Sequence, residues 1–479
     1  MSDEKLKILF VASEMAPYAK SGGLADVAGS LPKALHDIGV DVRVVFPRYR
    51  GINDKNETIS HEATFNVRLD WRERPAELYR IKADYPIYMI GNDQYFDRAG
   101  FYGHGDDFER FAFFSRAALD LLNTINFQAD VVHFNDWQTA LGCVYLKDIY
   151  KNFAFYDKTK SLYTIHNIQY QGQFAREILG SVGLNDGYFV EDKLEFYGSV
   201  SYMKAGLTYS DFISTVSETY SREIQTPQYS YGLDGMLRSR NHQLAGIVNG
   251  IDFEANNPAT DKRIFANYSA NNMDGKAKNK AELQKMLGLD VNAKAPMFAI
   301  ISRLAEQKGL GLVAGVLGEL VRRDVQIVIL GTGEGHLEHM FSDMASIHRS
   351  KISTNITFDS ELAQKIYAAS DFFLMPSLFE PCGLAQLFAM RYGSLPIARK
   401  TGGLNDTVAH YSPQTRLGCG FLFEDFLESG LMWCIDQALG IYSRPDHMRQ
   451  ARKNAMNADF SWTKSAERYV ELYKNLKHS

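Results

Sequence analysis

At 479 residues the chain is long enough for two or three domains with large apolar cores. Its 45% hydrophobic and 23% charged residues, net charge of −5 and lack of a dense Lys/Arg block exclude nucleic acid as the main partner, but not small anionic ligands. The four scattered cysteines (Cys143, Cys382, Cys419, Cys434) exclude a disulfide framework, and no apolar run approaches the about 20 residues of a membrane span.

The start, MSDEKLKILFVAS, carries no leader pattern, and the cysteine usage fits a reducing cytosol. KILFVAS (7–13) predicts a strand, and LADVAGSLPKALHDIG (24–39) a helix ending at a glycine cap. Apolar runs at 40–47, 129–136, 161–167 and 211–217 predict further strands, mostly followed by helical patterns. The pattern restarts after AGIVNGID (245–252), with strands expected at 296–303, 325–331, 371–377 and 395–400. Continuous apolar strands between helices indicate parallel sheets covered on both faces. The fold class is therefore α/β, with two doubly wound Rossmann-like domains facing a cleft. The expected spans are 1–250 and 251–460, with an amphipathic helix over 461–479 crossing back to the first domain.

One short pattern occurs twice, as KSGGLAD from Lys20 and KTGGLND from Lys400. Each glycine pair is expected between a strand end and a helix start, where glycine lets backbone N–H groups approach an anion. A tight turn explains either copy alone about as well. Together they suggest two walls of one site.

ISRLAEQKG (301–309) sets Arg303 and Lys308 just past a strand, where two cations suit a diphosphate; solvated loop charges are the alternative. Glu380, in SLFEPCG, could accept hydrogen bonds from sugar hydroxyls or merely cap a helix. His166 and Asn167 fall at one strand end and Asp136 and Trp137 at another, Asp136 being equally readable as a helix cap. GTGEGHLE (331–338) fails as a dinucleotide loop, because His336 stands where the third glycine belongs and Glu334 would repel a pyrophosphate. No Walker loop, GxSxG elbow or HExxH motif occurs.

The ordered set ASEMAPYAKSGGLADVAGSLPKAL, FNDWQTAL, TIHNIQYQGQF, STVSETYSREIQTP, YGLDGMLR, VNGID, ISRLAEQKGL, MPSLFEPCGLAQLFAMRYGSLPI and KTGGLNDTV resembles bacterial glycogen synthases and plant starch synthases along almost the whole chain. The resemblance implies a glycosyltransferase-B fold and retaining transfer of glucose from a nucleotide diphosphate sugar to the non-reducing 4-hydroxyl of an α-1,4-glucan. It implies no metal or bound cofactor. Donor binding would fall mostly to the second domain and acceptor binding mostly to the first. By the same resemblance, Lys20, with Gly22 and Gly23, approaches the donor phosphate or glucose, and Arg303 and Lys308 stabilise the leaving diphosphate. Glu380 sits by the donor glucose beside the backbone of Cys382, Gly383 and Leu384. Thr401, Gly402 and Gly403 bind phosphate. His166 lies against the transferred sugar, and Asp136, Asn167 and Asn249 line the same cleft. Three positions depart from the family pattern: Ser21 for Thr, Leu378 for Arg before FEPCG, and Ala385 for Thr after CGL.

Cations suit this chemistry because negative charge builds on the diphosphate as it leaves an oxocarbenium-like sugar. A carboxylate nucleophile is open to a retaining enzyme, but no residue marks one, and the resemblance favours same-face attack. ADP-glucose as donor, glycogen as acceptor and a bacterial cytoplasm are the expectations. Rival readings are a glucan phosphorylase, a transferase with a small acceptor of the sucrose or trehalose-phosphate type, and an idle glucan-binding protein.

Overall fold

A computed structural model describes residues 5–52 and 58–479. They fall into two compact units, the first within the spans Met1–Val216, Ser221–Ile247 and Trp462–Ser479 and the second within Ser217–Tyr220 and Val248–Ser461.

The first unit is built on a nine-stranded sheet. Its spatial order is Leu244–Gly246, Phe212–Thr215, Lys160–Ile165, Val131–Asn135, Lys7–Val11, Asp41–Pro47, Ile87–Gly91, Arg72–Ile81 and Ile59–Leu69. The first seven are parallel, and Arg72–Ile81 and Ile59–Leu69 extend the sheet as an antiparallel hairpin. Ile8, Leu9, Phe10 and Val11 have no solvent exposure. A strand covered on both faces has no reason to alternate, hence the unbroken apolar run. The expected helix appears as Gly23–Asp37, with Gly39 in the left-handed conformation just past its end. The last helix, Trp462–His478, packs on this sheet through Tyr469 and Tyr473. There Tyr473 pairs with buried His133 at 2.7 Å, and Lys477 with Asp130 at 2.9 Å.

The second unit has a six-stranded, wholly parallel sheet, ordered Ile352–Asn355, Gln326–Leu330, Met297–Ile301, Phe372–Met375, Leu395–Arg399 and Phe421–Phe423. Its faces are filled by two apolar clusters, one around Phe298, Ile327 and Leu374 and one around Ala299, Val328 and Phe373.

The strand order places the functional loops. Apart from the edge hairpin of the first sheet and the strand Ile87–Gly91 that follows it, the chain moves outward in both directions from one point in each sheet, and ligands of such sheets bind in the crevice outside the strand ends there. In the first unit that point lies between Lys7–Val11 and Val131–Asn135. In the second it lies between Met297–Ile301 and Phe372–Met375. The loops leaving these four strands carry Lys20, Asp136, Arg303 with Lys308, and Glu380 respectively.

Candidate functional site

In the second unit, Arg303 and Lys308 follow the strand Met297–Ile301. Lys308 ends a short 3-10 turn, Glu306–Lys308, closed by Gly309 in the left-handed conformation. A β-carbon on Gly309 would lie 1.9 Å from the Pro376 carbonyl, so only glycine lets this turn pack against the next strand's exit loop. That contact brings the Lys308 Nζ to 2.7 Å from Glu380 Oε2, with side-chain exposures of 19% and 7%. The Ser377 hydroxyl donates to the same oxygen at 3.0 Å. Glu380 is thus not a helix cap: the helix Ala385–Arg391 begins five residues later, with Leu384 at its N-cap. Arg303 is exposed, and among the described residues its guanidinium makes no ion pair.

Beyond Glu380 the chain turns through Cys382, Gly383 and Leu384. Among the described residues the N–H groups of these three have no protein acceptor. Gln386 holds the turn from behind, its amide donating to the carbonyls of Cys382 and Gly383 at 3.1 and 3.0 Å. Burial pushes the Cys382 thiol up to about 12, so the cysteine is a packing group. Asn249 is buried, donates its backbone N–H toward the Cys382 sulfur, and has a side-chain oxygen without a protein partner among the described residues.

The loop Thr401–Gly403 lies directly on this turn. Gly403 N–H donates to the carbonyls of Glu380 and Pro381 at 3.1 and 3.2 Å. A β-carbon on Gly402 would stand 1.9 Å from the Glu380 carbonyl, and one on Gly403 2.1 Å from that of Cys382. These glycines serve backbone-to-backbone docking. The Gly403 N–H, expected to face a phosphate, is spent on protein.

The first unit treats its copy differently. Gly22 is the N-cap and Gly23 the first residue of the helix Gly23–Asp37. Both are exposed, and a β-carbon on either would meet nothing within 4 Å. Glu14, buried just past the strand Lys7–Val11, organises the loop. Its carboxylate accepts from Ser21 N–H (2.5 Å), Ser21 Oγ (2.6 Å), Gly22 N–H (3.3 Å) and Tyr102 OH (2.5 Å). Lys20 is exposed and pairs with Asp26 at 2.6 Å. In the second copy the matching side chains part company: Lys400 pairs with Glu424, while Asp406 accepts from Thr219 N–H and Oγ1. The shared Lys and Asp therefore do not form a shared structure.

Asp136, at the end of Val131–Asn135, has φ of +56° and makes no side-chain cap bond to the turn Trp137–Thr139. Its carboxylate reaches the next strand's exit loop instead, accepting the His166 N–H at 2.7 Å and also that of Asn167. Burial raises its pKa to about 7 despite these two donors, and the Glu14 charge adds to the rise. The proton of His166 can be placed. Asn135 Nδ2 donates to the carbonyls of Val11 and His133, which fixes Asn135 Oδ1 as acceptor. His166 Nε2 lies 2.9 Å from that oxygen and so carries the hydrogen, leaving Nδ1 as acceptor. Burial lowers the His166 pKa to about 3, so the ring is neutral.

The structure thus gathers Lys308, Glu380, Cys382–Leu384, Thr401–Gly403 and Asn249 in one unit, and Glu14, Asp136, His166 and Asn167 in the other. Glu14, Tyr102 and Ser377 escape the sequence reading. Glu14 had a signal, a glutamate directly after a buried strand; Tyr102, far along the chain, had none.

Residues 7–239 match the family model of the starch synthase catalytic domain, and residues 285–457 that of glycosyl transferases group 1. Proteins of Clostridium novyi and Clostridium beijerinckii named glycogen synthase are 47% and 49% identical, over 99% and 98% of this chain and 100% and 99% of theirs. The solved catalytic domain of starch synthase IV from Arabidopsis thaliana, bound to ADP and acarbose, superposes with a TM-score of 0.91 at 34% identity, covering 99% of this chain and 100% of that one. Sucrose-phosphate synthase from Thermosynechococcus elongatus, at 16% identity and a TM-score of 0.62 over 98% of this chain and 99% of its own, shares the fold. Two Rossmann-like units with these neighbours make a glycosyltransferase-B fold, and the chain belongs to the glycogen synthase and starch synthase family of glycosyltransferases.

Proposed function

We propose that this protein is a glycogen synthase that moves glucose, with retention, from ADP-glucose to the non-reducing 4-hydroxyl of an α-1,4-glucan. The observation that carries the reading is the Lys308–Glu380 pair at the second unit's switch point, beside an uncompensated Arg303. A diphosphate brings the anion that Arg303 lacks, and Lys308 is already held in place to meet it. The free N–H groups of Cys382, Gly383 and Leu384 suit the phosphate or the sugar hydroxyls. Phe358 projects an almost fully exposed ring past the strand Ile352–Asn355. That strand is two places from Met297–Ile301, about 10 Å at about 4.8 Å per strand, a reach that suits an adenine stacked on the ring.

In the reaction the bond from the sugar's C1 to the diphosphate oxygen breaks and a bond from C1 to the acceptor's O4 forms on the same face. The acceptor proton passes to the departing phosphate oxygen. Arg303 and Lys308 stabilise the charge on that group, and we assign Lys20 to the same task. Glu380 orients Lys308 and the glucose hydroxyls. Neutral His166 offers the sugar a lone pair at Nδ1, and Asp136 fixes the loop that carries it. Among the described residues no helix is long and apolar enough to cross a membrane, and we place the enzyme in the bacterial cytoplasm.

The test offers labelled ADP-glucose and UDP-glucose, each with glycogen, with and without EDTA. Faster transfer from ADP-glucose, unchanged by EDTA, is expected. Activity lost in EDTA and restored by magnesium would point to a metal at the exposed group Glu306, Glu334 and His336, of which Glu306 is on the same loop as Lys308, and would overturn the cation-only account. Transfer to small sugars in preference to glycogen would overturn the acceptor.

A further inference from the structure

We propose that Tyr170, Tyr197 and Tyr231 form a glucan-stacking platform on the first unit that holds the acceptor chain beyond the reacting sugar. The inference rests on the glucan-transferring reading above and adds a binding surface to it. It starts from a conflict between sequence and turn geometry. Tyr197 and Gly198 are the two loop residues of a hairpin whose strands, Glu195–Phe196 and Ser199–Ser201, pair Phe196 with Ser199. Both have positive φ, +49° and +82°, the pattern of a type I′ turn. Asn is the preferred residue at the first position of such a turn, because it tolerates the left-handed region. Here a tyrosine occupies it, 84% exposed. A bulky side chain held in an unfavourable backbone conformation and kept out of the core points to a task outside the fold.

Tyr231 repeats the arrangement: φ is +51°, a positive-φ glycine (Gly232, +89°) follows, and the residue is 44% exposed. The two sites adjoin, since a β-carbon on Gly232 would sit 3.2 Å from the Tyr197 ring. Gln171 Nε2 donates to the Tyr231 carbonyl at 3.1 Å, which brings in the 49%-exposed Tyr170. The path leads back to the site. Tyr170 lies four residues past His166, and its N–H donates to the Asn167 carbonyl. The strand that follows, Gln173–Phe174, pairs with the hairpin strand Ser199–Ser201. Three rings thus run from the strand end that bears His166 to an exposed tip.

A polysaccharide is the occupant such a surface fits. Pyranose rings present flat C–H faces to aromatic rings while their rims keep hydroxyls for tyrosine OH groups and for the exposed side-chain amide of Gln173, which the buried Gln171 holds in place. The family's acceptor is a chain of many such rings. Exposed rings gathered on one stretch of surface form the kind of apolar patch that marks a binding groove.

The turn chemistry supplies a clean probe, because Tyr197→Asn removes the ring and installs the residue the turn prefers. The expected result is an unchanged or higher Tm, a rise of five-fold or more in KM for glycogen with kcat within two-fold, and lost retardation in glycogen-containing native gels. Tyr170→Ala should act in the same direction, and Trp71→Ala, which removes another exposed aromatic of this unit, should not. Wild-type binding and KM in Tyr197→Asn would overturn the platform while leaving the enzyme's reaction intact. A wild-type protein that transfers no glucose would instead overturn the underlying reading, and a Tm loss in Tyr197→Asn would show the ring to be structural.

Discussion

Replacing Glu380 by Gln isolates one charge. Its Oε2 sits 2.7 Å from Lys308 Nζ and 3.0 Å from Ser377 Oγ, in a site where the two charged side chains are 7% and 19% exposed. Glutamine keeps the volume and an oxygen that accepts from both donors, so the loss is the charge itself. At an effective dielectric of ~20 such a pair interacts by about 4 kcal/mol at 4 Å, much of it offset by desolvation, so stability should fall by only about 1–2 kcal/mol. Turnover should fall further. Lys308 would no longer be held toward the diphosphate, and the glucose hydroxyls would lose a charged acceptor. A preorganised group of this kind is worth about 2–4 kcal/mol in the transition state, which is roughly 30- to 1000-fold in kcat. Steady-state transfer from ADP-glucose to glycogen measures it, with a melting curve to confirm folding. Ser377→Ala, which removes only a neutral donor worth about 1 kcal/mol, is the control. A Glu380→Gln enzyme that is folded and within three-fold of wild-type kcat would show that the Glu380 charge plays no part in turnover.

Lys20→Ala should lower kcat more than it weakens ADP binding, because its charge matters most as the diphosphate departs; equal losses in ADP affinity and kcat/KM with kcat intact would make it a ground-state ligand. Gly402→Ala should cost about 3 kcal/mol or more in denaturant unfolding, since its β-carbon would lie 1.9 Å from the Glu380 carbonyl at φ +44°, whereas Gly22→Ala, with nothing within 4 Å, should unfold like wild type. Asp136, with a pKa raised to about 7 from an unfolded value near ~4, keeps in the folded state a proton that the unfolded chain has released between those pH values. Stability should therefore fall as pH rises through that window, by on the order of 1–3 kcal/mol, and the decline should flatten in Asp136→Asn; parallel curves for the two proteins would show that Asp136 does not titrate there.

The parallel strands were legible because both their faces are buried. KILFVAS and DFFLMPS read as strands for the same reason that Ile8–Val11 and Phe372–Met375 are dry. The hairpin Ile59–Leu69 and Arg72–Ile81 went unread. Half of it faces solvent, so its apolar residues come singly between His61, Glu62, Glu73 and Glu77. The strands Ile352–Asn355 and Phe421–Phe423 are too short to announce themselves. At the candidate site the positions were legible, since each falls where a strand ends. Their partners were not. That Glu14 gathers Ser21, Gly22 and Tyr102, or that Asp406 holds Thr219, depends on contacts between residues up to 187 positions apart.

The repeated glycine loop shows what a motif encodes and what it leaves to context. Both copies begin a helix just past a strand, and in both the glycines lie at its first turn. What a side chain would meet there differs completely: open space at Gly22 and Gly23, and the carbonyls of Glu380 and Cys382 at Gly402 and Gly403. The second pair is needed by the fold, because it lets one loop dock on the turn that carries Glu380 and so fixes that carboxylate's backbone. The first pair has no such internal reason. The N–H groups of Ser21 and Gly22 are drawn inward to Glu14, and the outer side of the loop is bare. With open space around them, Gly22 and Gly23 are positions where the fold itself tolerates a methyl group, so the same two letters carry a packing constraint in one unit and none in the other.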